Sequence, residues 1–298
     1  MPEGDTVLRT ARRLNAALAG EVLRSSDLRW PSLATVDLAG QRVLEVAARG
    51  KHVLLRTDAG LTVHSHLRMD GSWLVHRTGQ PWRVRSPEGV RAVLVAPGWT
   101  AVGHRLGMLD LVATADEAGV VGHLGPDVLA DGWDAGGAQR ALAALHEHPD
   151  REVGDALLDQ RLLAGVGTFW MSELLFLRGT SPWTRVDDVP DLAGALALVR
   201  RMMRVSVEAR DPVQTTTGDT RAGRNRYVHA RSGLPCLRCG TPVRVAPIGT
   251  GPQARSAFSC PSCQPGPRPT DDGRRQAPLG HDRRGGVPGR RRGTSPRA

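Results

Sequence analysis

Met1-Pro2-Glu3-Gly4-Asp5 opens the chain, and removal of Met1 would leave a proline secondary amine at the N-terminus with a carboxylate beside it. An α-amino group titrates near about 7.7 to 8.0, against about 10.4 for a lysine, so a useful fraction is free base at neutral pH. Such an amine forms an iminium with a sugar aldehyde, and Glu3 stands close enough in the chain to trade the protons that ring opening requires. The competing reading is that many cytosolic chains start Met-Pro with no chemistry attached. Other segments have to decide between the two.

The four cysteines fall only as Cys236-x2-Cys239 and Cys260-x2-Cys263, with twenty residues between the pairs. Each knuckle offers two thiolates on one tight turn, and two knuckles joined by a hairpin complete a tetrahedral metal site. One structural Zn2+ with all four positions filled by protein is the first reading, two disulfides the second. Gly233, Pro235, Gly240, Pro242, Gly249 and Gly251 suit the turns of a β-hairpin, and Arg238, Arg244 and Arg255 make it basic.

Between these ends the hydrophobic period changes once. A helix is expected from about Asp5 to Leu18, then strands at 42–46, 52–56, 61–67, 72–76, 90–95 and 108–113, with turns at Asp58-Ala59-Gly60, Asp70-Gly71 and Pro97-Gly98. This pattern predicts an antiparallel β-sandwich. From about Ala135 apolar residues recur three or four apart, predicting helices at 139–147, 152–163, 169–178 and 191–209. The join Leu162 to Thr168 carries Gly165 and Gly167, so it can turn tightly and aim helical amides at a phosphate, or simply pack two helices. Thr215 to Arg224 is a polar, basic loop that reads equally as a substrate loop or a linker.

The formal charge of +10 points to a polyanionic partner, with counterion release on a nucleic acid as its usual use. It is unevenly spread, because 264–298 holds nine arginines against three aspartates. That tail has hardly any apolar residues and is expected to be disordered. Among forty basic residues Lys51 is the only lysine, which suggests a place where arginine will not serve. No apolar run approaches the roughly 20 residues of a membrane span, and no signal-peptide pattern is present. A cytosolic chain without membrane contact is expected.

Four separated blocks, in order, resemble the formamidopyrimidine-DNA glycosylase and endonuclease VIII family of base-excision repair enzymes. They are Met1 to Gly4; Gly50-Lys51 followed by His66-Leu67-x-Met69-x-Gly71-Ser72; His123 to Asp127 with Leu158-Asp159-Gln160 and Gly165-Val166-Gly167; and the terminal Cys260-Pro261-Ser262-Cys263-Gln264. The resemblance implies an α+β multidomain fold: an N-terminal antiparallel β-sandwich with an N-terminal helix at 1–113, a linker at 114–134, a helix-two-turn-helix DNA-binding domain at 135–233, a zinc finger at 234–264, then the tail at 265–298. It implies a monomer acting on damaged double-stranded DNA, with no diffusible cofactor.

The same resemblance implies roles for particular residues. Pro2 matches the nucleophile that displaces the damaged base at C1′ and forms the Schiff base, Glu3 the acid that protonates the sugar ring, Lys51 the lysine assigned to β-elimination, and Arg255 the finger arginine that grips phosphates and is associated with δ-elimination. Gly167 and Thr168 match the phosphate-binding helix-turn motif, although the family usually has asparagine where Thr168 stands. Side chains also fill the gap left by the extruded base. Arg68, Met69, His104 and Leu106 are the candidates for that wedge, with Arg105 a further DNA contact. Thr6 stands where many members carry a glutamate, leaving Asp5 as a substitute. The short loop between Thr215 and Arg231 and the absence of a second proline after Gly4 favour the endonuclease VIII branch and oxidised pyrimidines. Oxidised purines, an abasic-site lyase and a non-catalytic DNA-binding protein are the alternatives.

Overall fold

Helix α1 (Gly4–Leu18) buries Val7, Ala11, Leu14 and Leu18, a stripe at the 3.6-residue period, against two four-stranded sheets. The computed structural model describes residues 2–82, 84, 86–211 and 213–269. The strands are β1 (Ser25–Leu28), β2 (Val43–Arg49), β3 (His52–Thr57), β4 (Leu61–His66), β5 (Ser72–Arg77), β6 (Val90–Val95), β7 (Trp99–His104) and β8 (Met108–Ala113). One sheet runs β1-β6-β7-β5 and the other β2-β3-β4-β8, all pairs antiparallel. The sandwich is closed by Leu23, Val43, Leu55, Trp73, Leu94 and Leu109.

Two strands were not legible. β7 lies between two neighbours and is buried from Thr100 to His104 without a break, so it lacks the alternation that marks a half-buried strand. β1 is a four-residue edge strand of sequence Ser-Ser-Asp-Leu, too polar and too short to stand out.

Beyond α2 (Ala118–Val121) the chain is helical: α3 (Gly137–His146), α4 (Val153–Leu158), α5 (Thr168–Arg178) and α6 (Leu192–Glu208). α5 is central, with every residue from Thr168 to Phe176 buried. α4 stops at Leu158 rather than running to Leu163, because Asp159 is extended (φ −72°, ψ 107°) and its carboxylate takes both Arg151 and Arg161. The chain then turns through Gly165 at φ +100°, a conformation that costs glycine almost nothing and other residues about 1 kcal/mol or more. β9 (Arg244–Ile248) and β10 (Arg255–Ser259) form the hairpin after the helices and pack on α5. In the expected tail, the Ser181 hydroxyl donates to the Pro267 carbonyl, and the tail from 270 onward lies outside the described residues.

The two halves are sewn together by polar contacts. Gly4 N–H donates to the Gly165 carbonyl at 2.9 Å, Gly50 N–H to Asp127 at 2.6 Å, and the Arg9 guanidinium to the carbonyls of Ser206 and Ala209 at the end of α6. Among the described residues no helix is long and apolar enough to cross a membrane.

Candidate active site

Glu3 sits at the N-cap of α1, yet its carboxylate serves a different helix. It accepts backbone N–H groups from Gly167 at 2.9 Å, Phe169 at 2.8 Å and Trp170 at 3.3 Å, the first turn of α5. A helix N-terminus carries unsatisfied amides and partial positive charge, so an acid there is at home. Burial nevertheless dominates. Glu3 is wholly buried, and desolvation pushes its carboxyl up to about 7 against the Lys51 ammonium and the amides of Phe169 and Trp170, with Asp5 adding to the rise. A Cβ at Gly167 would overlap the Glu3 carboxyl group, so a side chain there would displace the acid.

Lys51 comes to the same place from the start of β3. Its Nζ donates to the Val166 carbonyl at 2.7 Å, one residue before Gly167. Burial lowers the Lys51 pKa, offset in part by Glu3 and assisted by Arg255. Arg255, exposed at the head of β10, is therefore within electrostatic reach of the lysine. Gln160 holds the turn between them, donating to Val166 O at 2.9 Å and accepting from Gly165 N–H at 3.0 Å. Pro2, partly buried, immediately precedes Glu3. The structure thus brings Glu3 and Lys51 to the turn at 166–169 that holds Gly167 and Thr168, with Pro2 next to Glu3 in the chain and the charge of Arg255 acting on Lys51.

The two threonine departures have different consequences. Thr6 lines a groove with Arg9 and Arg13. Asp5 is buried and its charge weighs on Glu3, but its oxygens already accept from Ser206 at 2.7 Å and Gln214 at 2.9 and 3.0 Å. Thr168 is the first residue of α5 and is buried.

The wedge candidates separate. Arg68 and Met69 are exposed on the β4–β5 turn, Met69 at 67%, and Arg68 takes φ +55°. Arg105 is exposed beside them at φ +51° and pairs with Asp70 at 2.7 Å. Leu106 and His104 correct the sequence expectation, since both turn inward. Leu106 is 3% exposed in the sandwich core, and withdrawing it would cost about 2 kcal/mol. His104 is buried against Ser86, its Nε2 3.1 Å from the hydroxyl and 3.0 Å from the carbonyl.

The four cysteine thiols are free and lie within 4.8 Å of one another. Their sulfurs stand 4.0 Å apart for Cys236 and Cys263 and 3.4 Å for Cys239 and Cys260, close to the roughly 3.8 Å of a tetrahedral zinc–thiolate site. Amides of Arg238 and Cys263 point at Cys236 and Cys260 sulfurs, as thiolates require. This donor set fits a metal, and no disulfide joins the pairs. Gln264 fastens the knuckle to the turn that follows α5, accepting from Cys260 N–H and donating to Thr180 O.

Sequence reasoning missed Glu173. Fully buried in α5, it accepts the amides of Tyr227, Val228 and His229 at 2.8 Å each and the Thr216 hydroxyl. It therefore clamps both ends of the polar loop. Asp127 and Gln160 were visible only as parts of family blocks, with no local signal for their scaffolding roles.

Residues 1–96 match the family model for the formamidopyrimidine-DNA glycosylase N-terminal domain. The chain is 50% identical over 276 residues to the probable endonuclease 8 2 of Streptomyces coelicolor, covering 92% of this chain and 98% of that one. It is 40% identical over 264 residues to the DNA-(apurinic or apyrimidinic site) lyase Nei2 of Mycolicibacterium smegmatis, covering 89% and 99%. Lactococcus lactis formamidopyrimidine DNA glycosylase, solved non-covalently bound to DNA containing an AP site, superposes with a TM-score of 0.70 over 89% of this chain and 100% of that one. At 18% identity that likeness is one of fold.

Proposed function

Because the chain belongs to the formamidopyrimidine-DNA glycosylase and endonuclease VIII family of base-excision repair glycosylases and abasic-site lyases, we propose that it excises oxidised pyrimidines from damaged duplex DNA through the Pro2 amine and cleaves the strand by β,δ-elimination. The observation that carries this is the Glu3 carboxyl, wholly buried next to Pro2 on the first amides of α5 and pushed by desolvation up to about 7. An acid held there can give up a proton at the pH of the cell, as an exposed carboxylate cannot.

In this reading the free amine of Pro2 attacks C1′ as the base departs. Glu3 donates its proton to the ring oxygen, the ring opens, and the amine nitrogen gives up its proton to the departed base anion to leave an iminium. Loss of a C2′ proton then expels the 3′ phosphate, and a second elimination expels the 5′ phosphate. Lys51 serves the first elimination from its fixed place on Val166 O, and Arg255 grips the phosphates. Met69 and Arg68, on their exposed turn, are the wedge, with Arg105 beside them. Gly167 and Thr168 offer α5 amides and a hydroxyl to the backbone. One structural zinc on Cys236, Cys239, Cys260 and Cys263 would hold the hairpin that carries Arg255, and supplies rigidity rather than chemistry. The protein acts as a monomer, with the boundaries 113, 134, 233 and 264 dividing sandwich, linker, helical domain, finger and tail.

The 40% identity to a protein named as an abasic-site lyase favours a second reading, in which only abasic sites are cut. Borohydride trapping on duplexes carrying thymine glycol, 8-oxoguanine or an abasic site separates them, using wild type and Pro2→Gly with mass spectrometry of the adduct. An adduct on Pro2 with thymine glycol is expected. Trapping on the abasic duplex alone leaves the lyase, and no adduct on any duplex leaves only DNA binding.

A further inference from the structure

Three histidines of adjacent strands line up beside Lys51. His52 on β3 pairs in register with His66 on β4, and His64 lies two residues earlier on β4. His52 Nδ1 and His64 Nε2 are 2.7 Å apart, with the rings stacked at 5.0 Å and 20°. His66 meets His52 edge to face at 5.0 Å and 84°. Behind them the Asp110 carboxylate stands 3.6 Å from His64 Nδ1. That is beyond hydrogen-bond length but close enough to favour the proton on that nitrogen. His64 Nε2 is then the acceptor, and His52 Nδ1–H the donor.

The far end of this row is structural in a particular way. His66 Nδ1 accepts the Arg68 backbone N–H at 2.8 Å, which holds Arg68 in its left-handed conformation and so aims the turn bearing Met69. Only an unprotonated Nδ1 can do this. Burial, together with Arg68, Lys51 and His64, keeps His66 down to about 4, so the acceptor survives beside two cations. The Arg68 side chain closes over Gly107, where a Cβ would overlap it.

We propose that His64, backed by Asp110, is a positioning residue for DNA engagement: it fixes His52, and through His52 the His66 ring and the Arg68–Met69 turn, before the duplex arrives. His64 is 2% exposed and touches no phosphate itself. The proposal rests on the functional reading above, since it needs that turn to meet DNA.

The test compares wild type, His64→Phe and His64→Leu, which lose the acceptor, with His64→Gln, which keeps one. Binding to a duplex carrying a tetrahydrofuran abasic analogue is measured across a salt series, with hydrogen exchange of the Arg68 amide and turnover on an abasic duplex. Loss of one hydrogen bond predicts about a fivefold weaker Kd and higher KM for the Phe and Leu variants. kcat stays unchanged, Arg68 exchange is faster, and Gln restores most of the loss. The salt slope stays constant, because no phosphate contact is removed. Wild-type affinity and exchange in both acceptor-less variants overturn the proposal. So does an affinity loss that comes with a shallower salt slope, or with a fall in kcat and Tm that Gln does not rescue. A wild-type protein that neither binds nor cleaves the duplex overturns the functional reading along with it.

Discussion

Glu3 and Glu173 are both fully buried and each accepts three backbone amides, Glu3 at the N-terminus of α5 and Glu173 from the middle of it, yet their surroundings differ. Glu173 reaches from the middle of the helix to the amides of Tyr227, Val228 and His229 and to the Thr216 hydroxyl. Its partners all belong to one loop, and its work is to hold that loop. Glu3 reaches from the start of α1 to the N-terminus of α5, with Pro2 before it in the chain and the charge of Lys51 acting on it, and stands near 7. A buried carboxylate becomes a proton donor only where a reacting group adjoins it and desolvation outweighs its partners. Burial by itself separates neither residue from the other.

Glu3→Gln should have the largest effect, lowering base release by about 10²- to 10⁴-fold as removal of a general acid does. Single-turnover excision is the measurement, and binding to the tetrahydrofuran duplex should change little. In wild type the protonated acid disappears as pH rises through about 7, so base release should decline above that value. The same upward shift has a stability sign. The folded state binds a proton that the unfolded chain has released, so stability falls as pH rises from 4.5 to about 7. Thermal unfolding of Glu3→Gln across that range should lack this slope.

Gly167→Ala should come next. The new methyl displaces the Glu3 carboxyl, and a misplacement of about 1 Å costs about 10²-fold in rate. Comparable folding by circular dichroism would separate this from collapse. Glu173→Gln should sharpen the contrast from the other side. It leaves amide donors facing an NH2 group, costs about 1 to 3 kcal/mol, and speeds hydrogen exchange across 214–229 with a smaller loss in abasic cleavage than in base release. Asp5→Asn should be mildest, removing a charge that raises Glu3 and moving the alkaline decline to lower pH by less than about one unit. If Glu173→Gln instead matched Glu3→Gln on abasic cleavage, the division between acid and clamp would be gone.

The reach of the sequence differs between these parts. Met1 to Gly4, Lys51 and the cysteine pairs pointed to the proposed site because their chemistry is unusual wherever they occur: a proline amine once Met1 is removed, a lone lysine and paired thiols. α1, α5 and α6 were legible from apolar spacing to within a residue or two. β7 was not, because burial on every side erases alternation. Leu106 and His104 were wedge candidates by position alone; Leu106 turns inward because an apolar side chain gains more in the sandwich core, and His104 because its ring meets the Ser86 hydroxyl and carbonyl.

Sequence alone settled which groups are available for chemistry, since reactivity resides in residue type. Only tertiary structure decided that Glu3 would cap a helix some 165 residues away, that Lys51 would lose solvent on Val166, and that Glu173 would be a clamp. Those outcomes depend on desolvation and on which amides lie within 3 Å, and both are properties of packed elements rather than of the order of residues.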